Sequence, residues 1–142
     1  MAKLTGIRGL DEASAERLRA VGVGTQDKLV AAGSTPAERR RLASVTGLSA
    51  EDLQAWVNRA EIGRIRGVSS IYGRLLEEAG VASVPDLARR EPERLHAALA
   101  GINAGVRLTT RPPTLVAVSA WIAQAKDRTR TAEESHGPGR LI

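Results

Sequence analysis

The chain has no cysteine and no phenylalanine, and one tyrosine and two tryptophans are its entire aromatic content. Without cysteine there can be no disulfide framework, no thiolate metal site and no cysteine nucleophile. With so few rings the core must be aliphatic, and little is left on which nucleobases could stack. No apolar run approaches the roughly 18–20 residues that span a bilayer. The start, "MAKLTGIRGLDE", also lacks the apolar stretch of a secretory signal. A soluble, cytoplasmic chain with no membrane association is the expectation. His96 and His136 lie far apart with no metal-ligand spacing around either. Glu77-Glu78 and Glu133-Glu134 read as ordinary solvated acids, and no phosphate loop, Ser–His–acid set or paired-carboxylate motif is present. No catalytic residue, metal ligand or cofactor is assigned, and the reading leans away from an enzyme.

What is present favours helices. Hydrophobic residues make up 42% and charged residues 26% of the chain, a balance that folds. Alanine and leucine are good helix formers, and few stretches alternate apolar with polar for long. The formal net charge is +5, from 21 basic and 16 acidic residues, which favours an anionic partner.

The chain also repeats itself. "IRGLDEASAERLRAVGV" from Ile7 returns as "IRGVSSIYGRLLEEAGV" from Ile65, and the register holds to Leu29 and Leu87. Arg8 matches Arg66, Gly9 matches Gly67, Leu18 matches Leu76, Gly22 matches Gly80, and "WVNRA" at Trp56 matches "WIAQA" at Trp121. Repetition over this length predicts a duplicated helical unit. Helix punctuation recurs with it. Asp11, Thr25, Thr35 and Ser49 can open helices in the first copy, as can Ser69 and Ser83 in the second, by accepting bonds from the first free N–H groups. Gly22 and Gly80 stand where a left-handed residue ends a helix. Leu53, Trp56, Val57 and Ala60 draw one apolar stripe, and Leu115, Val118, Trp121, Ile122 and Ala125 draw its equivalent. Both tryptophans are therefore expected as core anchors.

The prediction is an all-α fold, two four-helix repeats packed into one compact domain. The first repeat covers 1–60 and the second 61–126. Residues 127–142 are expected to be a disordered tail, since "DRTRTAEESHGPGR" has no apolar stripe. The copies differ in length between Pro92 and Trp121, where "GINAGVRLTTRPP" (101–113) is expected to form an inserted loop carrying Arg107 and Arg111.

At "IRG" followed by an apolar residue and a helix closing on "GV", the sequence resembles a helix-hairpin-helix element. Over residues 4–125 it is similar to a bacterial domain-of-unknown-function family of tandem helix-hairpin-helix-like repeats. "RIRGVSSIYGRLLEEAGVASVPDLARREPERLHAAL" and "WVNRA" carry most of that resemblance. That family has no established role; the resemblance to the wider helix-hairpin-helix group implies DNA binding of weak sequence preference. Glycines let the hairpin approach a phosphate, the next helix start points N–H groups at it, and arginines add charge. Each copy departs from the pattern by lacking the second hairpin glycine, replaced by Asp11 and Ser69. A carboxylate there competes with a phosphate, so the hairpin at Arg8 and Gly9 is expected to be mainly structural. The second hairpin, with Arg64, Arg66, Gly67, Ser69, Ser70 and Arg74, is the stronger nucleic-acid candidate. The run Arg39-Arg40-Arg41 reads first as a solvated helix face. The alternatives are a protein-interaction adaptor, using a groove between the copies or the 101–113 loop, and a helical protein holding an apolar small molecule.

Overall fold

The computed structural model describes residues 3–140, with side chains described through Thr131. After a short 3-10 turn (Leu4–Gly6) come α1 (Glu12–Ala20), α2 (Gln26–Ala32), α3 (Pro36–Thr46) and α4 (Ala50–Ile62). These are followed by α5 (Ser70–Glu78), α6 (Val84–Ala88), α7 (Pro92–Val106) and α8 (Leu115–Arg140). The chain is all-helical among the described residues apart from an isolated antiparallel bridge between Lys3 and Thr25. It divides into two compact units, Met1–Glu61 and Ile62–Ile142.

Helices begin where a short polar side chain can accept the third N–H of the new helix. Asp11 takes that of Ser14, Thr25 that of Lys28, Thr35 that of Glu38 and Ser49 that of Asp52. In the second unit Ser69 takes that of Tyr72 and Ser83 that of Asp86. Such caps contribute about 1 kcal/mol each. Asp86 also reaches back to the N–H of Ala82, so the start of α6 is bonded reciprocally. α7 opens without a side-chain cap; Pro92 in its first turn has no N–H to satisfy.

α1 and α5 end alike. Gly22 and Gly80 both sit at φ +86, and the N–H groups of Val23 and Val81 return to the carbonyls of Leu18 and Leu76. The left-handed glycine lets the following valine turn back under the helix, where it is buried with that same leucine. Each unit closes an aliphatic core around repeat-matched positions. Ile7, Leu10, Leu18, Val23, Leu29 and Trp56 are buried in the first, and Ile65, Val68, Leu76, Val81, Leu87 and Trp121 in the second. In the second unit α8 packs on α6 and α7, and α5 packs on α7.

One expectation from the sequence is corrected. Residues 101–113 are not all loop, because α7 continues to Val106 and the irregular segment is 107–114. The stripe of Leu95, Leu99, Ile102 and Asn103 runs on at helical spacing, while Gly101 and Gly105 face open space, where a missing side chain removes no packing. α8 runs from Leu115 to Arg140. Arg128 donates to the carbonyl of Arg64 at 3.1 Å, and the Thr129 hydroxyl donates to the carbonyl of Ala125, so hydrogen bonds secure the turn of α8 just past Ala125.

Candidate functional site

Residues 7–10 and 65–68 form matching tight turns. The N–H of Leu10 returns to Ile7, and that of Val68 to Ile65, both at 3.1 Å. Gly9 (φ +88) and Gly67 (φ +92) hold the third position, where a positive φ makes glycine the fitting residue. Behind each turn sits the matching tryptophan, 4% exposed at Trp56 and 1% at Trp121. Both are core anchors, as the stripes predicted. A Cβ built on Gly67 would lie 3.0 Å from the indole nitrogen of Trp121, so the ring is seated directly against the turn.

The last helix of each unit also grips its turn, through a residue three positions after the tryptophan. In the first unit Arg59 donates to the carbonyl of Arg8. In the second, the Gln124 amide accepts from the N–H of Arg66 at 2.8 Å and donates to its carbonyl at 3.1 Å. The repeat register pairs Arg59 with Gln124, but nothing in their differing side chains announced a shared task.

The two turns differ in electrostatics. In the first, the carboxylate of Asp11 receives the Ser14 hydroxyl and the Ser14 N–H, and these bonds hold its pKa below the usual carboxylate value. A negative charge is thereby fixed at the start of α1. In the second, neutral Ser69 takes one N–H. The first two N–H groups of each helix, those of Glu12 and Ala13 in α1 and of Ser70 and Ile71 in α5, meet no acceptor among the described residues, so the difference between the turns is the Asp11 carboxylate. Arg64, Arg66, Gly67, Ser69, Ser70 and Arg74 are all exposed. Ser70 and Arg74 are one turn apart on α5 and share a face. Arg8 and Gly9 are exposed as well, beside Asp11.

Much of the basic surplus is used internally. Arg17 donates to Thr46, Arg39 to Gly33 and Arg90 to Gly80, all carbonyls at or just past helix C-termini where a cation is favoured. Arg39 thus separates from Arg40 and Arg41, which stay exposed. Arginines also face acids: Arg19 meets Glu12, Arg94 meets Glu91 and Arg130 meets Asp127, and Arg90 meets Asp86 as well as Gly80. In the second unit, Arg66, Arg74, Arg107 and Arg111 have no carboxylate partner among the described residues.

The segment 107–114 is braced. The buried Asn103 amide donates to the carbonyl of Thr109 at 2.9 Å and accepts its N–H at 3.1 Å. The Thr109 hydroxyl accepts the N–H of Arg111 at 3.0 Å. Tyr72 on α5 donates its hydroxyl to the carbonyl of Arg111 at 2.7 Å, and its ring lies 5.5 Å from that of Trp121. The structure therefore brings together two sets of residues that the sequence keeps separate, the second turn and the segment carrying Arg111. Thirty-nine positions separate Tyr72 from Arg111, and no sequence signal couples them.

His96 is half-buried on α7; the His136 side chain lies outside the described residues. Among the described residues no group of three or more His, Cys, Asp or Glu could hold a metal ion, and no helix is long and apolar enough to cross a membrane.

An all-helical chain of two units with matching glycine turns and tryptophan anchors is thus the class of protein defined here. The chain belongs to the family described as "Domain of unknown function (DUF4332)", which matches residues 8–128 and so spans both units. Neither the search of curated proteins nor the search of solved structures found a match.

Proposed function

We propose that the chain is a non-enzymatic nucleic-acid-binding module that holds DNA phosphates, with weak sequence preference, through the second turn in the manner of a helix-hairpin-helix. The observation that carries this reading is the contrast between the turns. Asp11 fixes a carboxylate at the first. The second presents Ser69, the open N–H groups of Ser70 and Ile71, and Arg66 and Arg74, which face no acid among the described residues. Backbone donors at a helix start together with guanidinium groups suit a phosphate diester. Contact is to the backbone rather than to stacked bases, because both tryptophans are buried and the Tyr72 ring is engaged with Trp121.

Fluorescence anisotropy with a labelled duplex over a range of salt concentrations tests this. Arg66→Ala with Arg74→Ala should weaken binding and flatten the plot of log K against log salt by about 1.8, two phosphate contacts at about 0.9 each. Undetectable binding of the wild-type chain at low salt, or an unchanged slope, defeats the proposal. A second reading is docking of a protein partner at 107–114. Val106 and Val116 flank that segment at 51% and 81% exposure, and exposed apolar side chains of this kind suit a protein contact. A partner retained after nuclease treatment and lost on shortening 107–114 supports it.

A further inference from the structure

We infer that the 107–114 segment belongs to the same phosphate-binding face as the second turn, with Arg107 and Arg111 contacting phosphates beyond those reached by Arg66 and Arg74. This rests on the nucleic-acid reading above and extends it. The connection runs through an unbroken series of contacts: Gly67 against the Trp121 indole, Trp121 against the Tyr72 ring, and the Tyr72 hydroxyl on the carbonyl of Arg111. Tyr72 is also the residue whose N–H is capped by Ser69, so the phenol that holds Arg111 is fixed at the start of α5, two positions from Arg74.

The segment is built to hold its arginines in place. Asn103 fixes Thr109 from both sides, Thr109 fixes Arg111, and Thr114 accepts the N–H of Ala117 to open α8. Pro112 and Pro113 stiffen the exit. Arg107 adds a separate observation. It is the one non-glycine residue with positive φ among the described residues (φ 50, ψ 50), at the end of α7, where the matching end of α3 carries Gly47. An arginine is kept where glycine is the easier residue, and its side chain pairs with no acid among the described residues. The first unit has Ser14 in place of Tyr72 and lacks the inserted residues, so the additional arginines accrue only to the turn that no carboxylate occupies. Within this face, four guanidinium groups neutralise phosphates along a backbone where the turn alone would supply two.

The test uses the full chain and a labelled DNA duplex, titrated by anisotropy at several salt concentrations. It compares wild type, Arg66→Ala/Arg74→Ala, Arg107→Ala/Arg111→Ala, and Arg94→Ala as an acid-paired control, with circular dichroism confirming that each is folded. Arg107→Ala/Arg111→Ala should flatten the salt slope by about 1.8, as the turn variant does, while Arg94→Ala leaves it unchanged. If the turn variant loses slope and the segment variant keeps it to within about 0.5, the inference fails and the nucleic-acid reading survives. If the wild-type chain does not bind, both fall.

Discussion

Replacing Gly67 with alanine tests how the second turn is held, and Gly80 supplies a control within the same unit. Both glycines have positive φ, +92 and +86. Alanine at either position therefore meets the backbone penalty of a left-handed residue, about 1–2 kcal/mol. Their surroundings differ. A Cβ at Gly80 comes no closer than 3.7 Å to the Arg90 guanidinium, an ordinary contact. At Gly67 it comes within 3.0 Å of the Trp121 indole nitrogen. That ring is almost wholly buried and cannot swing aside. The turn or the core must shift instead, which adds about 1–3 kcal/mol of overpacking. Urea denaturation followed by circular dichroism should therefore find Gly67→Ala less stable than Gly80→Ala by about 1–3 kcal/mol. The gap should narrow in a Trp121→Leu background, where the indole is gone. Equal losses for the two glycine variants would refute the seating of the ring against the turn. A negligible loss for both would refute the left-handed corners themselves.

Three further outcomes are expected. Arg107→Gly relieves the left-handed arginine and should raise stability by about 1 kcal/mol in the same urea assay, while lowering affinity for duplex DNA. Tyr72→Phe removes the bond to Arg111 and should lower stability by about 1 kcal/mol. Hydrogen exchange should quicken at Arg111 and its neighbours, and unchanged exchange there would contradict the bracing. Partial burial works to raise the pKa of Asp86, but bonds from Arg90 and the Ala82 N–H outweigh it, and the pKa is lowered. A depressed folded value means stability that is present above the unfolded aspartate value of about 3.9 and lost as pH falls through the folded one. Asp86→Asn should thus be less stable than wild type at neutral pH, with the gap in urea midpoint closing in acid.

The helix starts were legible because each relies on local chemistry, a short polar side chain three residues before an N–H that needs an acceptor. Asp11, Thr25, Thr35, Ser49, Ser69 and Ser83 all cap in this way. The repeat also located the glycine turns and tryptophan anchors, since matched positions meet matched packing demands. The sequence misled where residue type and position disagree. Residues 101–106 read as part of an inserted loop, yet they continue α7, with Gly101 and Gly105 on an open face where a helix tolerates them. Charge was legible only in bulk, because a count of arginines does not distinguish Arg17, Arg39 and Arg90, engaged with carbonyls, from Arg66 and Arg74, which face no acid among the described residues. The meeting of Tyr72 with Arg111 depends on the tertiary fold, and local spacing carries no trace of it.

Amide chemical-shift mapping of the full chain, titrated with a short DNA duplex at low salt, puts the strongest constraint on the nucleic-acid proposal. Shifts should concentrate at residues 66–74 and 107–114 and reverse on adding salt, with residues 8–14 little changed. Shifts centred on 8–14, or none anywhere in the chain, would contradict it.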